Sequence, residues 1–163
     1  KILGKDFRID RKGRFSTDIH VIPWVAIPLL THVLHSEGKT PTGNWVPFCE
    51  LPGARERAAL FEQRCEKPLK RLADAYPDLF HDLLEMFDGR KAGHVDSDLG
   101  AVLHPLPRVP VLLCYWKPEE GIESSARIFF DETAASNLGV DALYTLSAGL
   151  VNMFEKIAVK HGV

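Results

Sequence analysis

The chain is poor in sulfur. Its 163 residues include three cysteines and two methionines. Cys49, Cys65 and Cys114 are odd in number and widely spaced, and no C-x-x-C pair exists. A zinc knuckle and a thioredoxin-type redox motif are thereby excluded. So few cysteines in a chain of this length fit reduced thiols and a cytoplasmic protein. Long apolar runs are missing too: no stretch approaches the ~20 residues that span a bilayer, so no membrane partner is expected. Lys1 to Phe7 carries charge but no apolar segment follows it, so a signal peptide is not expected. The chain starts at Lys1 without a methionine, and a longer parent protein is expected. No basic run breaks the balance of 20 Lys+Arg against 22 Asp+Glu, net −2. The electrostatic footprint of a nucleic-acid partner is therefore absent. There is no P-loop, no G-x-G-x-x-G and no G-x-S-x-G, nor any internal repeat or low-complexity tract.

What is present is an ordinary globular composition, 45% apolar and 26% charged. The length suits a single domain, 1–163. About two thirds of the unfolded surface can be buried at this size, so one core suffices without staples.

Periodicity outlines the elements. Ile2 to Ile9 and Arg14 to Ser16 are short strand candidates around the turn Asp10-Arg11-Lys12-Gly13. Val21 to His35 is long and apolar and reads as a helix, with Pro23 in its first turn and Pro28 as a kink or a delayed start. Lys39 to Gly53 is a proline- and glycine-rich loop, ordered because Trp45, Val46 and Phe48 must pack. Ala54 to Tyr76 carries a helical stripe of Phe61, Cys65, Leu69, Leu72 and Tyr76, with a kink or break expected at Pro68. Asp78 is the expected cap of a helix over Leu79 to Phe87 that stops at Gly89. Arg90 to Asp98 is polar and turn-like. Leu99 to Leu103 is a short strand, and Val109 to Trp116 is apolar enough to be buried on both faces. Ala126 to Asp131 alternates, with Ala126, Ile128 and Phe130 on one side. Val140 to Val159 is the last helix. Short links between strands favour antiparallel pairing, which gives an α+β fold with a sheet of about four to five strands packed against helices.

Five residues stand out as ligand-binding candidates: Trp45, Glu50, Arg108, Trp116 and Asp131. The tryptophans and Glu50 suit a small-molecule pocket, or serve as core anchors. A hairpin of Val109–Trp116 and Ala126–Asp131 returns Asp131 to the Arg108 end of the sheet. An ion pair between the two is expected there; alternatively Asp131 caps a short helix starting near Glu132-Thr133-Ala134-Ala135. His32 and His35 are three apart on a helix, but no third ligand accompanies them, so no metal is expected. Cys49 beside Glu50 is the one thiol in a plausible exposed setting, and its reactivity would need a nearby cation.

Two motifs carry a family resemblance. Gly43-Asn44-Trp45-Val46-Pro47-Phe48-Cys49-Glu50-Leu51-Pro52-Gly53 resembles one motif of an uncharacterised prokaryotic domain of unknown function. Leu106-Pro107-Arg108-Val109-Pro110 through Trp116, Glu119-Glu120 and Phe130-Asp131 resembles its second, with Glu66-Lys67-Pro68-Leu69 between them. The resemblance runs from about Leu3 to Phe154. It implies a setting in anaerobic bacteria and archaea, and in some members fusion to an N-terminal iron–sulfur domain of the corrinoid-protein type. The chain departs from the pattern at Cys49, where an arginine is usual, and at Gly121-Ile122-Glu123, which replaces a Phe-Pro.

No cofactor is named by these residues. The function they favour is a non-catalytic module that binds a small molecule or a partner protein, accessory to anaerobic redox or one-carbon metabolism. Two alternatives are an enzyme with its site at Glu50, Arg108 and Asp131, and a structural oligomerisation domain.

Overall fold

The structure, a computed structural model, describes residues 1–17 and 23–160. The chain opens on a two-stranded hairpin, β1 (Phe7–Ile9) and β2 (Phe15–Thr17). Its loop closes on the Asp10 carboxylate, which accepts the amides of Lys12 (2.8 Å) and Arg14 (2.9 Å). Helix α1 (Pro23–His35) follows with Pro28 inside it; the expected start at Val21 lies outside the described residues.

The main sheet has five strands in the order β3-β7-β6-β5-β4, and every pairing is antiparallel. Its members are β3 (Trp45–Pro47), β4 (Arg90–Lys91), β5 (Leu99–Leu106), β6 (Val109–Trp116) and β7 (Ser125–Asp131). The fold is α+β, as the link lengths imply. β6 is the central strand and pairs with β7 from Val111↔Phe130 to Trp116↔Ser125. The expected loop of residues 39–53 contributes the edge strand β3, because Trp45, Val46 and Pro47 pair with Asp131, Phe130 and Phe129. The turn-like stretch after Gly89 likewise supplies β4. β5 runs past Leu103 to Leu106 by way of a register shift. Pro105 lies in that irregularity, where no ladder donor is required.

Alternation divides the sheet into two faces. Val109, Val111, Leu113 and Tyr115 of β6 join the main core, with Ala126, Ile128 and Phe130 of β7. Leu112 and Cys114 face the other way, among Trp45, Val102, Trp116 and Phe129. Both sets of β6 residues are buried, so the uninterrupted apolar run reflects two covered faces. The helices gather on the main-core side. They are α2 (Ala58–Phe61), α3 (Lys67–Ala75), α4 (Leu79–Met86), α5 (Ala134–Leu138) and α6 (Val140–Lys160). Among the described residues no helix is long and apolar enough to cross a membrane.

Pro68 breaks the expected Ala54–Tyr76 helix as its chemistry requires. It has no N–H for the carbonyl four residues back, and its ring crowds that turn. The chain answers with a π-helical turn over Glu62–Glu66 between α2 and α3. Asp78 does stand at the N-cap of α4, but its side chain makes no cap hydrogen bond. Its backbone is already helical there, and a cap needs an extended residue to aim its oxygen at the first amides.

Asn137 of α5 is fully buried and its amide is saturated. Oδ1 accepts the Lys39 amide at 2.9 Å, and Nδ2 donates to the carbonyls of Lys39 (2.8 Å) and Arg108 (2.9 Å). One side chain thus joins the end of α1, the loop behind it and the β5–β6 turn.

Gly149 sits in mid-α6 for a packing reason. A Cβ there would meet the Trp24 ring at 2.3 to 2.5 Å. Gly149→Ala gains about 1 kcal/mol of helix propensity and loses about 1–3 kcal/mol to overpacking. The expected outcome is a lowered urea midpoint. A midpoint unchanged or raised would mean that the indole moves aside freely.

Candidate functional site

The two tryptophans share the outer face of the sheet but not one end of it. Trp116 pairs with Ser125, whereas Trp45 pairs with Asp131. Six residues of β7 separate these points, roughly 20 Å at the usual rise per residue. The five candidate residues are therefore not brought into one pocket. Glu50 is exposed on a short 3-10 turn, Phe48–Glu50, after β3. Cys49 is exposed on the same turn, and all three cysteines are free. Burial pushes the Cys65 thiol up to about 12, which removes it as a nucleophile.

The Arg108–Asp131 ion pair does not form. Arg108 occupies the second position of the two-residue turn between β5 and β6, at φ 59°. That left-handed backbone suits the turn type which Pro107 initiates. It sends the exposed side chain to the Gly38 carbonyl, to which Nη1 donates. Asp131 is fully buried and has other donors. They are the Gly43 amide at 2.7 Å, the Thr133 amide at 3.0 Å and the Thr133 hydroxyl at 2.6 Å. Asp131 is not the N-cap of α5, a position held by Thr133; it closes the turn ahead of that helix and pins the Gly43 turn before β3. Burial pulls its carboxyl upward, but the hydrogen bonds from Thr133 and Gly43 outweigh burial and hold it below the ordinary range. A carboxylate so depressed and so fully engaged is a poor general base.

His32 is occupied as well. Its Nδ1 donates to the Asn137 carbonyl at 2.8 Å, and His35 is exposed. Among the described residues no three His, Cys, Asp or Glu side chains come together as a metal-ligand group.

Two polar clusters that the sequence did not single out lie near the open end of the hairpin. In one, Asp74 of α3 accepts Tyr115 (2.7 Å), Ser124 (2.6 Å) and Lys70 (2.9 Å). Burial raises the Asp74 carboxyl and these donors more than compensate, so it lies below its usual value. With no imidazole beside Ser124 and only a weakened base, the hydroxyl is not activated; the cluster clamps α3 to the hairpin. In the other, Glu66 of the π turn is buried against the β7 edge. It accepts the Ile128 amide at 3.1 Å and Arg127 Nη1 at 3.0 Å. Burial raises its carboxyl, while Ile128 and Arg127 pull the other way.

Arg127 leads to a cavity that the candidate Trp116 lines. It has a volume of about 430 Å³ and is lined by Trp116, Ile122 and Ser125 together with the charged Asp98, Lys117, Glu119, Glu123 and Arg127. Both flanks are fixed by the backbone. The Trp116 indole donates to the Asp96 carbonyl at 2.8 Å, and the Lys117 amide to Asp98 Oδ2 at 2.8 Å. Glu119 and Ile122 exchange two backbone hydrogen bonds, 3.1 and 3.0 Å, across a turn with Gly121 at φ 79°. A larger cavity, about 580 Å³, lies where α1 meets α5 and α6 and is lined by Ile27, Thr31, Pro52, Leu138, Val140 and Thr145 among others.

The sequence pattern of one family, described as a domain of unknown function (DUF3786), matches residues 1–153. The chain belongs to that family. No curated protein and no solved structure matches it. Within the family's chain, the Trp45 motif is edge strand β3 with the turn after it, and the second motif is the central hairpin. In Glu66-Lys67-Pro68, Glu66 ends the π turn and supplies the carboxylate at the β7 edge, while Lys67 and Pro68 open α3.

Asp131→Asn keeps the shape but turns one acceptor into a donor that faces donors. A loss of about 2–3 kcal/mol is expected near neutral pH. The sign with pH follows from the depressed carboxyl. Its contribution is complete above its unfolded value of about 4 and is lost as pH falls through the lower folded value. Denaturant unfolding should show the gap between native protein and variant narrowing in acid. A gap constant down to the acid limit would contradict this assignment.

Proposed function

We propose that this chain is a non-catalytic binding module and that its ligand site is the Trp116 cleft. The observation that carries the reading is a preformed cavity of about 430 Å³, within the range of small-molecule sites. One side is a half-buried indole and the rest bears charged groups. The reading gains support from Asp131 and Asn137, fully buried and with hydrogen bonds that serve the fold. A cytoplasmic setting is supported by three free cysteines. The metabolic setting, anaerobic redox or one-carbon chemistry with an iron–sulfur domain alongside in some relatives, has its support in the resemblance of the two motifs.

The Trp116 indole N–H is the natural reporter, identified among three tryptophans by Trp116→Phe. Titration with a broad metabolite set is expected to give saturable shifts of that resonance in two-dimensional NMR. Trp116→Ala should weaken such ligands at least about tenfold, since aromatic contact area dominates small sites. A set that leaves the indole unmoved would end this reading.

A second reading, self-association, is favoured by α1. Ile27 is 58% exposed, Leu30 42%, Val33 60% and Leu34 73%, all on one side of the helix. An apolar helix face without charge is expected to be covered, and an uncharged patch can meet its own copy across a two-fold axis. Light scattering over a concentration series should show a dimer that Leu34→Lys dissociates without changing the thermal melt. A native protein monomeric throughout would exclude it.

A further inference from the structure

We infer that the Trp116 cleft recognises a small zwitterion, of the class of an α-amino acid or a short peptide with free termini; this rests on the cleft being the ligand site. Its charges carry the argument. Lys117 and Arg127 supply positive charge, and Asp98, Glu119 and Glu123 negative charge. Opposite charges crowded into one cleft ordinarily pair with each other. Here the one ion pair is that of Arg127 with Glu66, and Glu66 lies behind the wall rather than among the lining residues. Asp98 is engaged by the backbone amide of Lys117. Among the described residues, the ammonium of Lys117 and the carboxylates of Glu119 and Glu123 have no ion-pair partner.

Three features keep these charges apart. The tight turn at Gly121 fixes Glu119 opposite Ile122. The Asp98 carboxylate holds the backbone of Lys117 at the end of β6. Glu66 takes Nη1 of Arg127 and, among the described residues, Nη2 has no hydrogen bond, so the guanidinium is oriented but not consumed. A ligand of one sign would satisfy one set of groups and crowd its like charges against the other. A ligand with a carboxylate and an ammonium satisfies both sets at once. Its carboxylate meets Lys117, Arg127 and the Ser125 hydroxyl, and its ammonium meets Glu119 and Glu123. An apolar side chain then lies on Trp116 and the exposed Ile122, 65% accessible.

The test uses L-leucine and L-phenylalanine as zwitterions, their amides as cations, their N-acetyl forms as anions and their N-acetyl amides as neutral controls. Each is titrated while the Trp116 indole is followed by NMR. The zwitterions should bind at least about tenfold more tightly than any singly charged or neutral form. Lys117→Gln should weaken the zwitterions and the N-acetyl forms and spare the amides. Glu119→Gln with Glu123→Gln should weaken the zwitterions and the amides and spare the N-acetyl forms. These residues are exposed, so the variants should fold as the native protein does. Neutral or singly charged forms that bind through Trp116 as tightly as the zwitterions would overturn the inference and leave the cleft a ligand site. Zwitterions that leave the indole unmoved while the broad metabolite set shifts it would do the same. Silence from both would overturn the inference and the site together.

Discussion

The fold depends on how one loop is held. Residues 36–44 link α1 to the edge strand β3 without regular structure, and such a segment must find partners for its amides elsewhere. Two buried side chains provide them. Asn137 takes both the amide and the carbonyl of Lys39, as a neighbouring strand would. Asp131 takes the amide of Gly43, and next to it the Glu132 amide reaches the Asn44 carbonyl. With these bonds in place β3 is delivered to the edge of β7. Its Val46 reaches the main core while Trp45 covers the outer face around Leu112. Asn137 also holds the Arg108 carbonyl, so the two-residue turn that aligns β5 on β6 depends on the same amide. An amide with four groups to satisfy and no water to fall back on specifies a single arrangement.

A second constraint follows from Pro47 and Pro68. Strand β3 ends at Pro47, which leaves the β7 edge from Ile128 towards Ser125 without a strand partner. An open edge is a liability in a sheet. The π turn forced by Pro68 places Glu66 at that edge, and its carboxylate takes the Ile128 amide that no strand takes. The same carboxylate orients Arg127 on the outer face. One carboxylate thus repairs the backbone edge and orients an outer-face guanidinium. The cost is a buried carboxylate whose ionised form is disfavoured by desolvation.

Where a pattern was dictated by many residues acting together, the sequence could be read. β6 begins and ends at the residues its apolar run marks, and β7 differs by one residue. The long stripe of α6 is likewise where periodicity puts it. Short elements were not readable. β3 and β4 have three and two residues, and their existence rests on a partner strand rather than on their own alternation. Site residues were harder still. Trp116 could be singled out as an aromatic candidate for a pocket wall. The partners of Asp131 could not, because they depend on the Thr133 turn and on a loop 88 residues earlier in the chain. Glu66 carried one available signal, a charged residue two positions before a proline in a helical stripe. Proline forces a bulge there, and a bulge turns a residue out of its helical register towards a neighbour.

The polar groups divide into those the fold satisfies and those it leaves open. Every buried polar side chain among the described residues has a hydrogen-bond partner. Asp131 and Asn137 are fully buried and spend their hydrogen bonds within the fold, while Asp74 clamps α3 to the hairpin. Their carboxylates are held ionised by those donors, the opposite of the tuning that acid–base chemistry near neutral pH needs. The cleft at the open end of the hairpin has the reverse character. Its charged groups have capacity to spare, its indole is half-buried, and its backbone is fixed by hydrogen bonds that a ligand does not have to break. Preorganised walls with unspent charge lower the cost of ordering on binding. That arrangement suits recognition.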